Sequence, residues 1–131
     1  MAIGKEDGYL EFYESGELLN KGDVALVSSA IPSELERWKS LNMKFEKLSV
    51  PMTTIKTMLE RSRHFRFDLL SLDIEGMELE VLPQIDFDAL GIKVAVIEFN
   101  SKNEKAYNDI MFPYGFRLVA KNLENLIYTI L

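Results

Sequence analysis

Phe67-Asp-Leu-Leu-Ser-Leu-Asp73-Ile-Glu75-Gly76-Met-Glu78-Leu-Glu-Val-Leu82 is the stretch on which the reading of this chain turns. Leu69, Leu70 and Leu72 make an almost unbroken apolar run, which reads as a strand covered on both faces, because a strand with one wet face would alternate apolar and polar residues. Asp73 ends that run. Met77, Val81, Leu82 and Ile85 then recur at helical spacing, so a buried strand gives way to an amphipathic helix within about four residues. Pro83 limits the helix because it has no N–H to donate. Carboxylates therefore gather at the carboxyl end of a strand beside a helix N-terminus, the rim where open α/β sheets bind ligands.

Working outward, Val94 to Phe99 reads as a second fully buried strand. The roughly twenty residues between Asp73 and Val94 allow a helical crossover, with Ile85, Phe87 and Leu90 packing inward and Gly91 closing the turn. A crossover of that length predicts parallel strands with a right-handed connection. Asp73 and Glu98 then share one edge of the sheet. Further on, Ser101-Lys-Asn-Glu104 has the form of a capping box, and Ala106, Tyr107, Ile110 and Met111 give the next helix an inner face. Pro113-Tyr-Gly115 ends it, and Arg117 to Lys121 with Leu126 to Leu131 form a terminal antiparallel hairpin about Asn122-Leu-Glu-Asn125.

On the N-terminal side, Ile3, Leu10 and Phe12 predict two short strands joined in a hairpin at Glu6-Asp7-Gly8. Gly16 and Gly22 bracket a segment without clear periodicity, and Val24 to Val27 is a short apolar run. Pro32-Ser33-Glu-Leu-Glu36 reads as a capped helix start, with Leu35, Trp38 and Leu41 facing inward and Trp38 a core or subunit contact. Lys44 to Val50 predicts a strand stopped by Pro51. Ile55, Met58 and Leu59 mark a helix ending near Arg63.

The chain has 131 residues, 47% of them hydrophobic, which bounds it to a single domain spanning residues 1–131. A net charge of −6 argues against nucleic acid as a partner, since that affinity comes largely from clustered Lys and Arg. The basic cluster Arg61, Arg63, His64 and Arg66 reads as a solvated helix end. With no cysteine and one histidine, disulfides, thiolate zinc sites, His-pair metal sites and Ser-His-Asp triads drop out. No apolar run approaches the length of a membrane span and no signal peptide is visible, so the cytoplasm is the expected location.

The candidates for chemistry are Asp73, Glu75, Glu78 and Glu98, with Asp73 and Glu98 favoured because an acid that interrupts a buried strand at its rim would otherwise be a needless desolvation cost. They suit a general base on a hydroxyl acceptor, a partner for a cofactor amine, or ligation of a hard cation with Asn100. For Glu78, as for Glu80, the reading as an exposed first-turn acid favoured by the helix dipole comes first. No third hard ligand is evident locally, so no metal is expected.

Asp73-x-Glu75-Gly76-x-Glu78-Leu79-Glu80-Val81-Leu82, preceded by Phe67-Asp68-Leu69-Leu70, resembles the signature of the FkbM-like methyltransferases. Ala2-Ile3-Gly4-x-x-Asp7-Gly8-x-Leu10-x-Phe12, Val94-Ala-Val-Ile-Glu98 and Gly115-Phe116 resemble other segments of that family in the same order, across nearly the whole chain. At Lys56 the family commonly carries Asp. The glycine-rich cofactor turn of the family has no counterpart among the glycines here, so the resemblance is to a C-terminal part.

It implies an incomplete Rossmann-like methyltransferase sheet of the α/β class, with two central parallel strands, helices and a C-terminal antiparallel hairpin. It also implies S-adenosylmethionine as cofactor and O-methyl transfer to a small molecule or sugar, with Asp73, Glu75 and Glu98 as catalytic candidates and the cofactor-binding residues unassigned. The alternative is a truncated, non-catalytic α/β module that only self-associates or binds a partner. Without the family's first strand, the Leu69 to Leu72 strand becomes an edge, which predicts a homodimer. Its contact would bury either that strand or the helix face of Met77 and Val81, unless Ala2 to Phe12 folds back over the edge.

Overall fold

The computed structural model describes residues 1–14, 45–99 and 103–130. In chain order these form β1 (Ala2–Ile3), β2 (Gly8–Glu14), β3 (Glu46–Thr53), α1 (Ile55–Glu60) and β4 (Leu69–Leu72). Then follow α2 (Glu78–Val81), a 3-10 turn at Leu82–Gln84, α3 (Phe87–Leu90), β5 (Val94–Glu98), α4 (Glu104–Met111), a 3-10 turn at Phe112–Tyr114, β6 (Arg117–Lys121) and β7 (Asn125–Thr129). Two sheets result, one ordered β1-β3-β2 and the other β4-β5-β7-β6. The readings at Val24 to Val27, Pro32 to Glu36, Leu35, Trp38, Leu41, Asn100 and Ser101 lie outside the described residues.

The second sheet carries the expected parallel pair. β4 runs parallel to β5 with Leu69 beside Val94 and Leu72 beside Ile97. The terminal hairpin forms as predicted, but β7 rather than β6 pairs with β5, antiparallel, with Glu98 opposite Asn125. Among the described residues only β5 of the parallel pair is therefore interior; β4 is an edge strand, as expected without the family's first strand, rather than one of two central strands. Nor is β4 covered on both faces, since Leu69 is 58% exposed while Leu72 is buried. Strand length limits what a pattern can say here, because three leucines in four residues look the same on a one-sided edge as in a closed interior.

One face of this sheet packs on the crossover. Val81, Leu82 and Ile85 are shut off from solvent against Ala95, Ile97, Leu126 and Tyr128, each aliphatic contributing roughly 1.5–3 kcal/mol by leaving water. Asp86 caps α3 by accepting from the Ala89 N–H at 2.9 Å, and Gly91 ends it at φ 73°. Any side chain at Gly91 would also run into the Arg66 guanidinium. α4 begins at Glu104 behind Asn103, two residues later than the Ser101 capping box placed it; Asn103 itself has φ 22° and makes no side-chain cap bond. Its inward residues, Tyr107 and Met111, are buried as expected.

The first sheet differs from the predicted hairpin. β1 and β2 do not pair with each other; β3 lies between them, parallel to β1 and antiparallel to β2. Asp7 does not act as a turn former with positive φ. Its carboxylate accepts from the Thr53 hydroxyl (2.7 Å), the Thr54 amide (3.1 Å) and the Thr57 hydroxyl (2.8 Å), tying the β1–β2 connection to the end of β3 and the start of α1. β3 runs through Pro51 rather than stopping at it. β1 accompanies β3 only at Met52 and Thr53, so beside Pro51 that flank has no neighbouring strand, the kind of position where a sheet tolerates proline. Gln84 joins this sheet to the crossover by donating to the Gly4 carbonyl at 3.3 Å.

The three bonds to Asp7, the Thr53 hydroxyl first, hold its carboxyl below its ordinary value of 3.8. A depressed carboxyl stabilises the fold fully above its unfolded value and loses that contribution as pH falls through the folded one. Asp7→Asn is therefore expected to flatten the decline in thermal midpoint below about pH 4, as followed by circular dichroism. An unchanged acid limb would mean that the network does not support the fold.

Candidate active site

Parallel pairing of β4 with β5 decides where the acids meet. With Leu72 beside Ile97, the next residue of each strand is Asp73 and Glu98. The chain then turns through Glu75 at φ 58° and Gly76 at φ 99° before α2 begins. A left-handed glutamate is uncommon and costs free energy relative to glycine. The turn is held by Glu78, whose carboxylate accepts from the Ile74 amide at 2.9 Å and the Gly76 amide at 3.3 Å.

Glu78 is 2% exposed, which corrects its reading as a solvated first-turn acid. Glu80 is exposed, as expected. The helix dipole explains why an acid is favoured at either position; burial follows only because the left-handed turn curls two amides toward the Glu78 side chain. The available signal in the sequence was Glu75-Gly76 itself, a tight turn whose amides need an acceptor.

One carboxylate oxygen from each of Asp73, Glu78 and Glu98 lies within 4.8 Å of the others. Asp73 is exposed and Glu98 half-buried, so the cluster runs from solvent into the sheet. Glu78 is thus the third carboxylate that the sequence did not place locally. Glu75, exposed as a residue but with its carboxyl partly desolvated, stands near Asp73 and Glu78; that desolvation first, then their charges, push its carboxyl above its ordinary value of 4.5. Behind the cluster, Tyr107 meets Phe99 edge-on at 6.3 Å between ring centres. Its phenol is pushed up to about 12 by burial and by the neighbouring charges of Glu78 and Glu98, so it is neutral at physiological pH.

The structure therefore brings Asp73 and Glu98 together with Glu78, leaves Glu75 outside that cluster but near Asp73 and Glu78, and adds Tyr107. Carboxylates this close repel one another, and the repulsion is relieved by a proton, a cation or a hydroxyl or ammonium donor set between them. The rim is suited to ligands that bring such groups. His64 and the arginines near it are exposed and take no part.

Among the described residues no helix is long and apolar enough to cross a membrane. The family model of the methyltransferase FkbM domain matches residues 1–118. No curated protein and no solved structure matches.

Proposed function

Because the chain belongs to the methyltransferase FkbM domain family, we propose that it takes part in methyl transfer from S-adenosylmethionine to a hydroxyl oxygen on a small molecule or sugar. The observation that carries this reading is the convergence of Asp73, Glu78 and Glu98 at the carboxyl end of the parallel pair. The donor set fits such a cofactor in chemical character, since carboxylate oxygens accept from hydroxyl and ammonium groups and favour nearby positive charge. When bound, S-adenosylmethionine supplies a methyl group made electrophilic by a sulfonium sulfur.

The chain's own residues divide the remaining tasks. Asp73, on the solvent side of the cluster, and Glu98, at the end of β5, orient the acceptor hydroxyl and take its proton. Glu75 has a raised proton affinity, which moves a carboxylate toward the range in which a general base works best. Glu78 positions this group by fixing the Ile74 and Gly76 amides. Tyr107 stays protonated and closes the inner wall beside Phe99.

Titration calorimetry of the purified chain with S-adenosylmethionine, and separately with S-adenosylhomocysteine, tests the proposal. A saturable heat is expected, unchanged by Glu80→Gln, which lies outside the cluster. No heat at millimolar ligand, with the chain folded by circular dichroism, would remove cofactor binding from this chain.

A further inference from the structure

We infer that the outer edge of β4 is a self-association surface on which a second copy of this chain lays its own β4 antiparallel. Among the described residues, β4 has a strand on one side only. The other long sheet edges are guarded by charge: β2 carries Glu11, bridged to Lys47 at 2.6 Å, and Glu14, while β6 carries Arg117 and Lys121. β4 reads Leu-Leu-Ser-Leu, with no charge and no proline. Soluble chains normally protect such an edge.

Beside it lies an apolar groove of about 230 Å³ lined by Ile55, Met58, Leu59, Leu69, Leu70 and Ile92. Leu69 and Met58 are 58% and 40% exposed there. The two alternatives expected from the sequence are not available among the described residues. Met77 and Val81 are buried within the chain, and β1 and β2 pair with β3 instead of folding over β4.

Charge selects the occupant and its direction. The approach to β4 carries Arg61, Arg63, His64 and Arg66, all exposed, and its exit carries Asp73 and Glu75, also exposed. Parallel copies would set like charges together. Antiparallel copies set the arginines of each copy toward the other's acidic end. With Leu70 and Ser71 nearest the two-fold axis, Arg66 of one copy falls opposite Glu75 of the other, while Asp68, whose charge is answered by Lys93 of its own chain, falls opposite the mate's Asp73. Such a contact is self-complementary and closes at two. It also delivers arginines of one copy to the acidic rim of its mate. Four-residue strands make a small interface, so the dissociation constant is expected on the order of tens of micromolar.

Sedimentation equilibrium from about ten to several hundred micromolar chain tests this. A monomer–dimer equilibrium that weakens with added salt is expected. Leu69→Lys should raise the dissociation constant by about tenfold or more, with circular dichroism reporting whether it folds. Arg66→Glu and Glu75→Arg should each weaken the dimer, and the double charge swap should restore it, a recovery that a parallel or purely apolar contact does not produce. That charge series decides the matter if Leu69→Lys does not fold. A strict monomer at the highest concentration overturns the inference, and if the Leu69 to Leu72 amides then exchange slowly, a segment of the same chain covers the edge. Open-ended assembly, or a double swap no better than the single changes, overturns it as well.

Discussion

Phe87→Ala is expected to lower the unfolding free energy by about 3–5 kcal/mol, the range for removing a buried aromatic ring. Phe87 is 1% exposed. Its ring sits 5.0 Å from Tyr114 and 5.3 Å from Phe116, tilted toward the first and edge-on to the second. α3 is only four residues long, too short to hold itself together, so this ring ties it to the segment that leads into the C-terminal hairpin. Its backbone carbonyl accepts from Gly91 and Ile92 and so sets the entry to β5. Alanine would leave a void bounded by two rigid aromatic rings, with little capacity to collapse. Phe87→Leu, which retains much of the volume, should cost less than half as much. Urea melts measure both. A loss under about 1 kcal/mol for the alanine variant would show that the core does not close around this ring.

Glu78→Ala is expected to cost about 2–4 kcal/mol, by a different physical route. The side chain is buried and its oxygen serves two amides, those of Ile74 and Gly76. Removing it leaves two part-buried donors without their acceptor, and the penalty for an unsatisfied buried group exceeds the net gain from making the bond. The turn it holds includes the left-handed Glu75, whose conformational cost is then no longer offset. Glu78→Gln keeps an acceptor oxygen and should recover a large part of the loss. Glu80→Ala, on the exposed face, should stay within about 0.5 kcal/mol of the parent. The same melts separate these cases. Equal effects at positions 78 and 80 would mean that the helix dipole, not the buried bonds, is what favours acids here.

The two substitutions probe the halves of one arrangement. Phe87 anchors the crossover that makes β4 and β5 parallel, and the parallel register puts Asp73 beside Glu98. Glu78 then sets the turn that brings a third carboxylate to them. Loss of the first is expected to reach the rim through the register of the sheet, and loss of the second through the turn alone.

What the sequence determined by itself was whatever rests on local punctuation. Asp73 ends β4, Pro83 limits α2, Gly91 and Gly115 close their turns at positive φ, and about twenty residues separate the parallel strands; none of these depends on a distant partner. The α/β class, the β4–β5 pairing, the shared rim of Asp73 and Glu98 and the C-terminal hairpin followed from them. Only the tertiary structure decided which strands became neighbours and which acids turned inward. β3 separates β1 from β2 and runs through Pro51, because strand pairing is a contest among distant segments that local turn chemistry does not settle. Asp7 could be read as a turn residue, yet its place is set by three donors that lie 46 to 50 residues away in the chain. Glu78 and Glu80 are both acids in the first turn of one helix, but only Glu78 points at amides that the preceding left-handed turn has left without backbone partners. Three-dimensional supply of hydrogen-bond donors, which no local spacing records, makes Glu78 part of the site and leaves Glu80 in water.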